Sequence, residues 1–458
     1  MKISLNNKQK SDVVVQFVDK KALKHTKSKT LQLSGFKAGK GSTILDGKTL
    51  YVGTEGAKDS EDWRVIGVDL TTKLNGMNVK NVSIRVPKSC EAFVEGLQLG
   101  DYKFTYKSTT ETAKLKTISL SSKAKISKAV DASVSKAKAT CHVRDWVNTM
   151  PETAHSASIA KAVKKMFKGT NIKVTIYNEK FLEKQGMNAH LAVNRASRHE
   201  AKTIKLEYVP KGANKNTKHH VFVGKGLTYD SGGLSIKGGD HMTTMKCDKA
   251  GAMAVWGLMQ HVSKFGSSSK VTAYMGIAEN MIDGSSYKPD DILTAMNGTT
   301  IHVKNTDAEG RLVLFDNLCL AQKQNKKITT IHTLATLTGA AVYQFGNEAA
   351  ALVGFNDKLK NKVKSAGEQA GELFMNAEFH KYMMDSIDDS LADISNTGSY
   401  GMGCQKAGLF LTKSIDKKNT NKYVHWDIAG PAFASTAFGH NPAGATGFGV
   451  RTLINFVK

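Results

Sequence analysis

The alternation of strand-length apolar runs with helix-like segments is the feature of this sequence that most restricts its fold. Apolar runs stand at Val221–Val223, Val271–Met275 and Ile328–Leu334, and segments of helical character separate them. Strands and helices that alternate along a chain favour a largely parallel sheet covered by helices. The sequence after residue 160 is therefore predicted to form an α/β domain.

A smaller α/β domain is predicted before it. Between residues 12 and 120, short apolar runs alternate with clusters of Gly, Asn and Lys, as expected for strands and their connections. These runs include Val13–Val18, Leu50–Val52 and Val82–Val86. The stretch 119–140, rich in Ser, Lys and Ala, permits a solvated helix that connects the two domains. We predict an N-terminal α/β domain over residues 1–120, a connector over 121–160 and a second domain over 161–458.

Basic residues outnumber acidic ones, and the excess is concentrated near the N-terminus. The chain contains 65 Lys and Arg against 40 Asp and Glu, for a net charge of +25. Residues 1–140 hold 26 of the basic and 13 of the acidic side chains. Such a bias favours nucleic acid, anionic membranes or acidic proteins as partners, but lysine-rich surfaces also arise simply as solvated faces. We interpret the charge as a solvated surface and keep nucleic-acid binding as an alternative.

The cysteines indicate a reducing compartment. There are five, and they are widely spaced without any CxxC pair: Cys90, Cys141, Cys247, Cys319 and Cys404. This pattern does not suit a disulfide framework, so the thiols are predicted to be free. No apolar run approaches the roughly 18 residues of a membrane helix, and the first residues lack the apolar stretch of a signal peptide. We expect a cytoplasmic protein with no membrane partner.

The loop that follows Val221–Val223 is the first segment that suggests chemistry. It contains four glycines and carries Lys225, Asp230 and Lys237. Glycines let the backbone approach a ligand closely, and loops at strand ends are where α/β sheets bind ligands. A phosphate-binding loop is one interpretation, although the Gly-x-x-x-x-Gly-Lys-Ser/Thr signature is absent. An ordinary turn is the structural alternative.

Three further carboxylates stand at the starts of two predicted helices. Asp248 precedes a helix that runs to about Gly266, where it has a structural alternative as an N-terminal cap. Asp307 and Glu309 are two residues apart, so in an extended segment they face the same side. Arg311 follows them and offers a plain salt bridge as the alternative. One arginine does not also balance Asp230 and Asp248 if the loops converge, whereas four carboxylates balance two divalent cations.

This stoichiometry predicts a two-metal hydrolytic site. In such sites two ions roughly 3.5 to 4 Å apart share a water, lower its pKa and clamp the substrate oxygen. Oxygen-rich ligands suit Zn²⁺, Mn²⁺ and Mg²⁺ about equally, so the residues predict metals without naming them.

Together these segments closely resemble the leucyl aminopeptidase (cytosol aminopeptidase) family. The resemblance rests on VGKGLTYDSGGLSIK at residues 223–237, on Glu279-Asn280-Met281, and above all on NTDAEGRL at residues 305–312. Further matching segments span most of the chain, at residues 95–102, 338–340, 427–432 and 444–451.

Residue by residue, the resemblance implies a set of metal ligands. Asp230 and Glu309 would bridge the two ions. Lys225 and Asp248 would complete the tighter site, and Asp307 the more exchangeable one. The ions implied are Zn²⁺ or Mn²⁺, with Co²⁺ and Mg²⁺ as alternatives.

The same comparison implies catalytic and substrate-binding residues. Lys237 would polarise the scissile carbonyl, and Arg311 would hold a bicarbonate-like anion that acts as a proton shuttle. Met245 lies in the substrate-pocket position, and Thr338 and Gly339 belong to the same pocket.

The resemblance also implies a fold, an assembly and an activity. The fold is a small, macro-like N-terminal α/β domain joined by a helical connector to a larger catalytic α/β domain with a mixed central sheet, and the assembly is a homohexamer. The activity is that of a leucyl aminopeptidase, which uses a binuclear metal-bound hydroxide to hydrolyse the N-terminal residue, preferably Leu or Met, from peptides.

Some positions depart from the family pattern. Residues 246–249 read Lys-Cys-Asp-Lys where most relatives have Arg-Ala-Asp-Met, which places a thiol and a charge beside a candidate ligand. Asn194 and Ala196 stand where glycines are common, and His302 where relatives often carry Glu. An inactive structural relative is a further alternative, but all seven candidate ligands and catalytic residues are present, which argues against it.

Overall fold

The chain divides into two units by its internal contacts. The computed structural model describes residues 1–5, 10–87, 89–109, 114–399 and 401–458. The N-terminal unit comprises residues 1–141 and 437–441, and the C-terminal unit comprises residues 142–436 and 442–458. The division at residue 141 falls within the helix Ser127–Asn148.

A six-stranded sheet forms the N-terminal unit. Its strands are β1 (Lys2–Leu5), β2 (Val13–Val18), β3 (Thr43–Asp46), β4 (Thr49–Gly53), β5 (Asn81–Arg85) and β6 (Thr117–Ser121). Their order is β1-β6-β5-β2-β4-β3, and every pairing is parallel except that of β3 with β4. The apolar runs predicted as strands in this region are therefore confirmed as β2, β4 and β5.

Helices accompany this sheet. They are α1 (Lys20–Lys24), α2 (Lys29–Leu33), α3 (Ser60–Asn75), α4 (Glu91–Gly100) and α5 (Ser127–Asn148), whose last residues lie in the C-terminal unit. Asp59 starts α3 with a reciprocal capping box, in which its side chain accepts from the Asp62 backbone and Asp62 reaches back. The apolar faces of α3 and α4 bury Leu70 and Phe93 against Ile84 of the sheet.

The C-terminal unit is built on an eight-stranded mixed sheet. Its strands, in spatial order, are β15 (Leu373–Asn376), β14 (Ala349–Val353), β17 (Tyr423–Asp427), β13 (Thr330–Ala335), β9 (His219–Asp230), β10 (Lys270–Asn280), β8 (Lys202–Tyr208) and β7 (Lys173–Tyr177). The four central strands, from β17 to β10, are mutually parallel. Antiparallel pairings occur outside them, at β14–β17, β10–β8 and β7–β8. The mixed central sheet expected from the family resemblance is confirmed.

Two small sheets and nine helices complete the described part of this unit. The small sheets contain β11 (Ile292–Thr294), β12 (Thr300–His302) and β16 (Ile394–Ser395) in one, and β18 (Phe433–Ala434) and β19 (Gly444–Ala445) in the other. The helices are α6 (Ser156–Met166), α7 (Glu179–Lys184), α8 (Asn188–Asn194), α9 (Ala250–Phe265), α10 (Gly310–Gln324), α11 (Gly339–Phe345), α12 (Asp357–Ala370), α13 (Gly403–Thr412) and α14 (Val450–Phe456).

Helices α9 and α10 lie on opposite faces of the central sheet. Val221 and Val223 of β9 share a core cluster with α10 residues such as Val313. Gly224, the next residue on β9, instead faces Ala252 of α9, because a Cβ there would lie 2.5 Å from the Ala252 Cα. The central strands are buried on both sides, as parallel strands between two helical layers are. Among the described helices, none has both the length and the apolar composition needed to cross a membrane.

Candidate metal centre

Parallel strands bring the candidate residues to one edge of the central sheet. β9 ends at Asp230, and its parallel neighbours β10 and β13 end at Asn280 and Ala335. The carboxyl ends of parallel strands share an edge, so the loops that follow them meet there. Asp248 reaches this edge from the 3₁₀ turn Met245–Lys249 before α9, and Glu309 directly precedes α10.

One cavity of about 630 Å³ is lined by nine of the ten candidate site residues. They are Lys225, Asp230, Lys237, Met245, Asp248, Asp307, Glu309, Thr338 and Gly339. Arg311 is the tenth; it is buried and lines a neighbouring cavity. Its Nη1 donates to the main-chain oxygen of Asn396 at 2.7 Å, and no salt bridge to Asp307 or Glu309 occurs among the described residues. The structure therefore does not show the plain salt bridge considered for Arg311.

Asp307 and Glu309 lie together, but not because the segment is extended. The Asn305 side chain accepts a hydrogen bond from the Asp307 backbone nitrogen at 2.7 Å, which turns the chain before the helix begins. Glu309 itself has right-handed helical backbone angles. The two carboxylates therefore converge through a turn, and the prediction of an extended segment was wrong.

Two lysines contact the four carboxylates in separate groups. Lys225 Nζ lies 2.9 Å from Asp248 Oδ1 and 2.8 Å from Glu309 Oε1. It also donates to the main-chain oxygen of Thr336 at 2.8 Å. Asp248 therefore contacts Lys225. It does not act as the N-terminal cap of α9, where no side-chain hydrogen bond is present.

Lys237 contacts the remaining pair of carboxylates. Its Nζ lies 2.8 Å from Asp230 Oδ2 and 2.5 Å from Asp307 Oδ1. Its side chain is 14% exposed, whereas that of Lys225 is 3% exposed. Lys237 is therefore the lysine that solvent, and hence a substrate, reaches more easily.

The four carboxylates outnumber the two lysines, and the pKa values of three carboxylates are raised. Burial, followed by repulsion from Asp230, raises the pKa of both Asp307 and Glu309 to about 7. Burial also raises the pKa of Asp248, although Lys225 opposes the shift. Protons or cations must compensate this excess negative charge.

Both lysines are held in the charged form by these neighbours. Burial acts to lower the pKa of Lys225, but Asp248, Glu309 and Asp230 outweigh it, and the net pKa lies above its ordinary value. The same balance raises the pKa of Lys237, where burial is opposed by the Asp230 and Glu309 carboxylates.

The cluster offers ligand atoms that suit divalent cations. One oxygen each of Asp230, Asp307 and Glu309 lies within 4.8 Å of the others. Asp248 Oδ2 is buried and has no hydrogen-bond partner among the described residues. A buried carboxylate oxygen with no donor is costly unless something positive faces it. The residues present therefore fit divalent cations, which prefer clustered carboxylates of this kind.

Neighbouring polar residues that sequence reasoning did not assign orient these carboxylates. Asn280 Nδ2 and the Gly232 backbone nitrogen donate to Asp230 Oδ1 at 2.8 and 2.9 Å. Thr336 Oγ1 donates to Asp248 Oδ1 at 2.7 Å. Asn280 belongs to a segment that carries the family resemblance, although no role was assigned to it, and Thr336 was indicated only by its position after β13, a strand that flanks β9.

Gly310 makes room for the deeper lysine. A Cβ at this position would lie 2.5 Å from Lys225 Cε and 2.6 Å from its Nζ. A side chain at 310 would force the flexible end of Lys225 to move, so the glycine leaves room for the position that this amine occupies over the first residue of α10.

The substrate side of the cavity combines apolar walls with a fixed loop. Met245, Leu337 and Val342 line the cavity. Thr338 Oγ1 donates to the buried Asp427 at 2.7 Å and caps α11. The loop before α11 is thereby held against the last residue of β17.

Cys247 and Lys249, the two unusual residues on either side of Asp248, lie in different surroundings. Cys247 lines the cavity, and burial raises the pKa of its thiol to about 12. Lys249 is fully buried, and burial lowers its pKa to about 7. Lys249 Nζ donates to the main-chain oxygens of Val147, Thr149 and Lys246. Its charge is therefore directed at the end of α5 and does not line the cavity.

Two other departures from the family pattern are accounted for by local contacts. Asn194 donates to the His199 main-chain oxygen at 2.7 Å and accepts from the Glu279 backbone at 2.9 Å. His302 lies 3.0 Å from Asp389 through its Nδ1. Nothing in the structure explains Ala196.

Comparison with known proteins agrees with this geometry. The model of the cytosol aminopeptidase family catalytic domain matches residues 141–454. A probable cytosol aminopeptidase of Campylobacter jejuni is 38% identical, with 100% of this chain and 98% of the relative covered. One from Wolinella succinogenes is 41% identical over 80% of this chain and 77% of the relative. The solved structure of the bottromycin maturation enzyme BotP in complex with Mn has a TM-score of 0.88 and 28% identity, covering 97% of this chain and 98% of that one.

The fold, the carboxylate cluster and these similarities define the class of protein: a metallo-exopeptidase. The chain belongs to the cytosol aminopeptidase family, whose members are metal-dependent enzymes that remove N-terminal residues from peptides.

Proposed function

We propose that this protein is a two-metal aminopeptidase that removes apolar N-terminal residues, Leu and Met above others, from peptides. The observation that carries the proposal is the convergence of Asp230, Asp307 and Glu309 within 4.8 Å at the carboxyl edge of the sheet. The preference for apolar residues is supported by Met245 and Leu337, which line the same cavity.

The lysine contacts support a division of the ligands between two ions. Asp248 and Glu309 surround Lys225, and this group would hold the tighter ion. Asp307 stands at the more exposed end of the cluster and would hold the more exchangeable ion, with Asp230 and Glu309 bridging both. Zn²⁺ or Mn²⁺ is proposed, with Co²⁺ and Mg²⁺ as alternatives. Two such ions would lower the pKa of a shared water and polarise the scissile carbonyl.

The two lysines would hold opposite protonation states during turnover. Lys225 serves as a ligand only when neutral, so it must release the proton that its carboxylate neighbours otherwise retain. Lys237 would remain charged and donate to the carbonyl oxygen as negative charge develops on it. Because that charge is larger in the transition state than in the substrate, the contact accelerates the reaction.

Arg311 would bind the anion that moves protons. Its Nη1 is committed to the Asn396 main chain, whereas its buried Nε has no hydrogen-bond partner among the described residues. Arg311 would hold a bicarbonate-like anion beside this guanidinium, and such an anion would supply the site with a group that can carry protons.

Blocking the substrate amine tests the proposed function. The free α-amino group of the substrate would bind one ion through its lone pair, which amide resonance removes from an acetylated N-terminus. Leucyl peptides should therefore be cut one residue at a time, whereas matched N-acetyl-leucyl peptides should resist at every metal concentration. Mass spectrometry follows both reactions, with a chelated sample as the control. Release of acetyl-leucine, or internal cleavage of a blocked peptide, would refute the aminopeptidase assignment.

We further propose a cytoplasmic homohexamer. The curated relatives are described as cytosol aminopeptidases, and Cys90, Cys247, Cys319 and Cys404 are free thiols in the structure, as expected in a reducing compartment. Closed symmetry is common among soluble oligomers. Sedimentation equilibrium of the full-length chain tests the hexamer directly.

A further inference from the structure

Asn396 is a fully buried residue that lies outside the catalytic motifs. It follows the short strand β16, which pairs with β12. Its backbone nitrogen donates to the main-chain oxygen of His302 at 2.9 Å, so the residue is fixed beside the end of β12. Residues 303–309, which follow β12, form the loop that carries Asp307 and Glu309.

The Asn396 side chain uses both of its polar atoms on this loop. Its Oδ1 accepts from the backbone nitrogens of Lys304 at 2.8 Å and Asn305 at 3.3 Å. Its Nδ2 donates to the main-chain oxygens of Asn305 at 2.6 Å and Ala308 at 3.4 Å. One amide therefore spans the loop from its start to the residue before Glu309, with donors facing acceptors throughout.

The Asn396 main chain extends the same contact to the following helix. Its carbonyl oxygen accepts from Arg311 Nη1 at 2.7 Å. Side chain and main chain together thus contact the segment on both sides of Asp307 and Glu309, without touching either carboxylate.

This segment needs external support because its own charges oppose its shape. Asp307 and Glu309 lie within 4.8 Å of each other and of Asp230. Lys225 and Lys237 offset part of the repulsion among the four carboxylates of the cluster, and the remainder favours an open loop when no cation is bound. Ordering a flexible loop costs backbone entropy for every residue that becomes fixed. Ligands that are ordered before the ions arrive do not incur that cost on binding, so the loop contacts raise metal affinity.

We propose that Asn396 is a positioning residue that holds the 303–309 loop in its ion-binding shape before the ions arrive. The proposal rests on the proposed two-metal function and deepens it. Since Lys225 and Asp248 lie on other elements, the loss of Asn396 should weaken the exchangeable ion at Asp307 more than the tighter ion at Lys225.

Metal titration of the metal-free, full-length protein tests this inference. Calorimetry with Mn²⁺ and with Zn²⁺ should show two binding events in the parent protein. In Asn396→Ala, the dissociation constant of the weaker event should rise by about 10- to 100-fold, the usual effect of removing a residue that orients metal ligands. The tighter event should change far less. Asn396→Ser keeps one hydroxyl for the loop and should fall between the two, and it carries the test if Asn396→Ala does not fold.

Asn325→Ala provides a matched control. Asn325 is a buried asparagine at the opposite end of α10, roughly 20 Å from Gly310 at 1.5 Å per residue. Its Nδ2 donates to Tyr274 Oη at 2.9 Å and to the Ala321 main chain at 2.7 Å. The control should lose stability to denaturant without any change in the two dissociation constants.

The possible results separate this inference from the proposed function. If the parent protein binds no divalent cation, the two-metal function itself is refuted. If the parent binds two ions and Asn396→Ala binds both with unchanged affinity, only the inference about Asn396 is overturned. Equal weakening of both events in Asn396→Ala and Asn325→Ala would also overturn it, because a general loss of structure would then explain the effect.

Discussion

Each unit of this protein contains a cluster of buried acidic side chains, and these two clusters are compensated differently. In the N-terminal unit, Glu95 lies 3.1 Å from Arg64 Nε and 2.7 Å from Lys136 Nζ, and Arg64 also contacts Glu61. Glu61 in turn meets His440. The carboxylates there face at least as many cationic side chains. In the candidate metal centre of the C-terminal unit, four carboxylates face two lysines.

The difference distinguishes a structural charge network from a binding site. A buried network whose charges are matched needs nothing further, and the loss of one member leaves the others uncompensated. In a cluster with excess negative charge, burial together with repulsion between carboxylates raises the pKa values of Asp307 and Glu309, and the excess charge can be compensated by a cation. Burial of charge alone is therefore a poor guide to function, and the local charge balance is a better one.

The largest expected effect is on catalysis when the unbalanced cluster loses a ligand. Glu309→Ala should lose bound metal and reduce leucyl-amide hydrolysis by more than the roughly 10²- to 10³-fold that loss of one oxyanion donor causes. Metal analysis by mass spectrometry and initial rates measure both. The free energy of unfolding, measured with a chelator present, should change little, because the substitution removes one of several carboxylates that repel each other. A Glu309→Ala protein that retained two ions and near-normal rates would show that the imbalance is not a metal site.

The balanced network should respond in the opposite way. Glu95→Ala should lower the free energy of unfolding by about 3 to 5 kcal/mol, because the buried charges of Arg64 and Lys136 each lose the carboxylate that they share. The metal content and the turnover of the folded protein should stay unchanged. Denaturant titration with activity measured at low temperature checks both. Glu91→Ala, an exposed change on the same helix α4, is the control and should stay within about 0.5 kcal/mol.

Removal of the more exposed lysine should separate chemistry from metal binding. Lys237→Ala should lower kcat by about 10²- to 10³-fold, because the developing oxyanion loses its charged donor. Metal affinity should be equal or higher, since Lys237 occupies Asp230 and Asp307 when no ion is bound. Lys225→Ala should weaken metal binding instead. Calorimetry on both variants decides the matter, and matching metal affinities would contradict the division of labour.

The smallest effect at neutral pH concerns buried histidines, and acid should reveal it. Burial lowers the pKa of His190 to about 4, from an ordinary value near 6.5. His190 therefore stabilises the fold fully above pH 6.5, and this contribution is lost as the pH falls through 4. His190→Gln should flatten the decline of unfolding free energy between pH 7 and pH 4.5. Tryptophan fluorescence in a Trp63→Phe background reports on the C-terminal unit alone, and identical slopes in both proteins would exclude His190 as the cause.

Some of the fold was predictable from the sequence because burial leaves a local pattern. The runs at Val13–Val18 and Val271–Met275 became strands, since continuous apolar residues suit a sheet covered by helices. Strand direction was not predictable in the same way. Nothing in the run Ala349–Val353 indicates that β14 pairs antiparallel with β17, because direction depends on the connections and not on the residues of the strand.

The site was predictable only where its residues fall within short motifs. Asp307 and Glu309 stand two residues apart in the sequence, and their motif identifies them. Asn396 is separated from them by more than 80 residues and contacts their loop only in the folded chain. No sequence pattern distinguishes a single asparagine that positions a loop from an asparagine that is simply buried in the core.

The close contact between Gly310 and Lys225 has a consequence for how this enzyme can evolve. Any larger residue at 310 would displace the amine of Lys225 from its present contacts with Asp248 and Glu309. A substitution at 310 is therefore expected to persist only together with a second change that gives this amine another path, so one glycine limits which sequences can descend from this one.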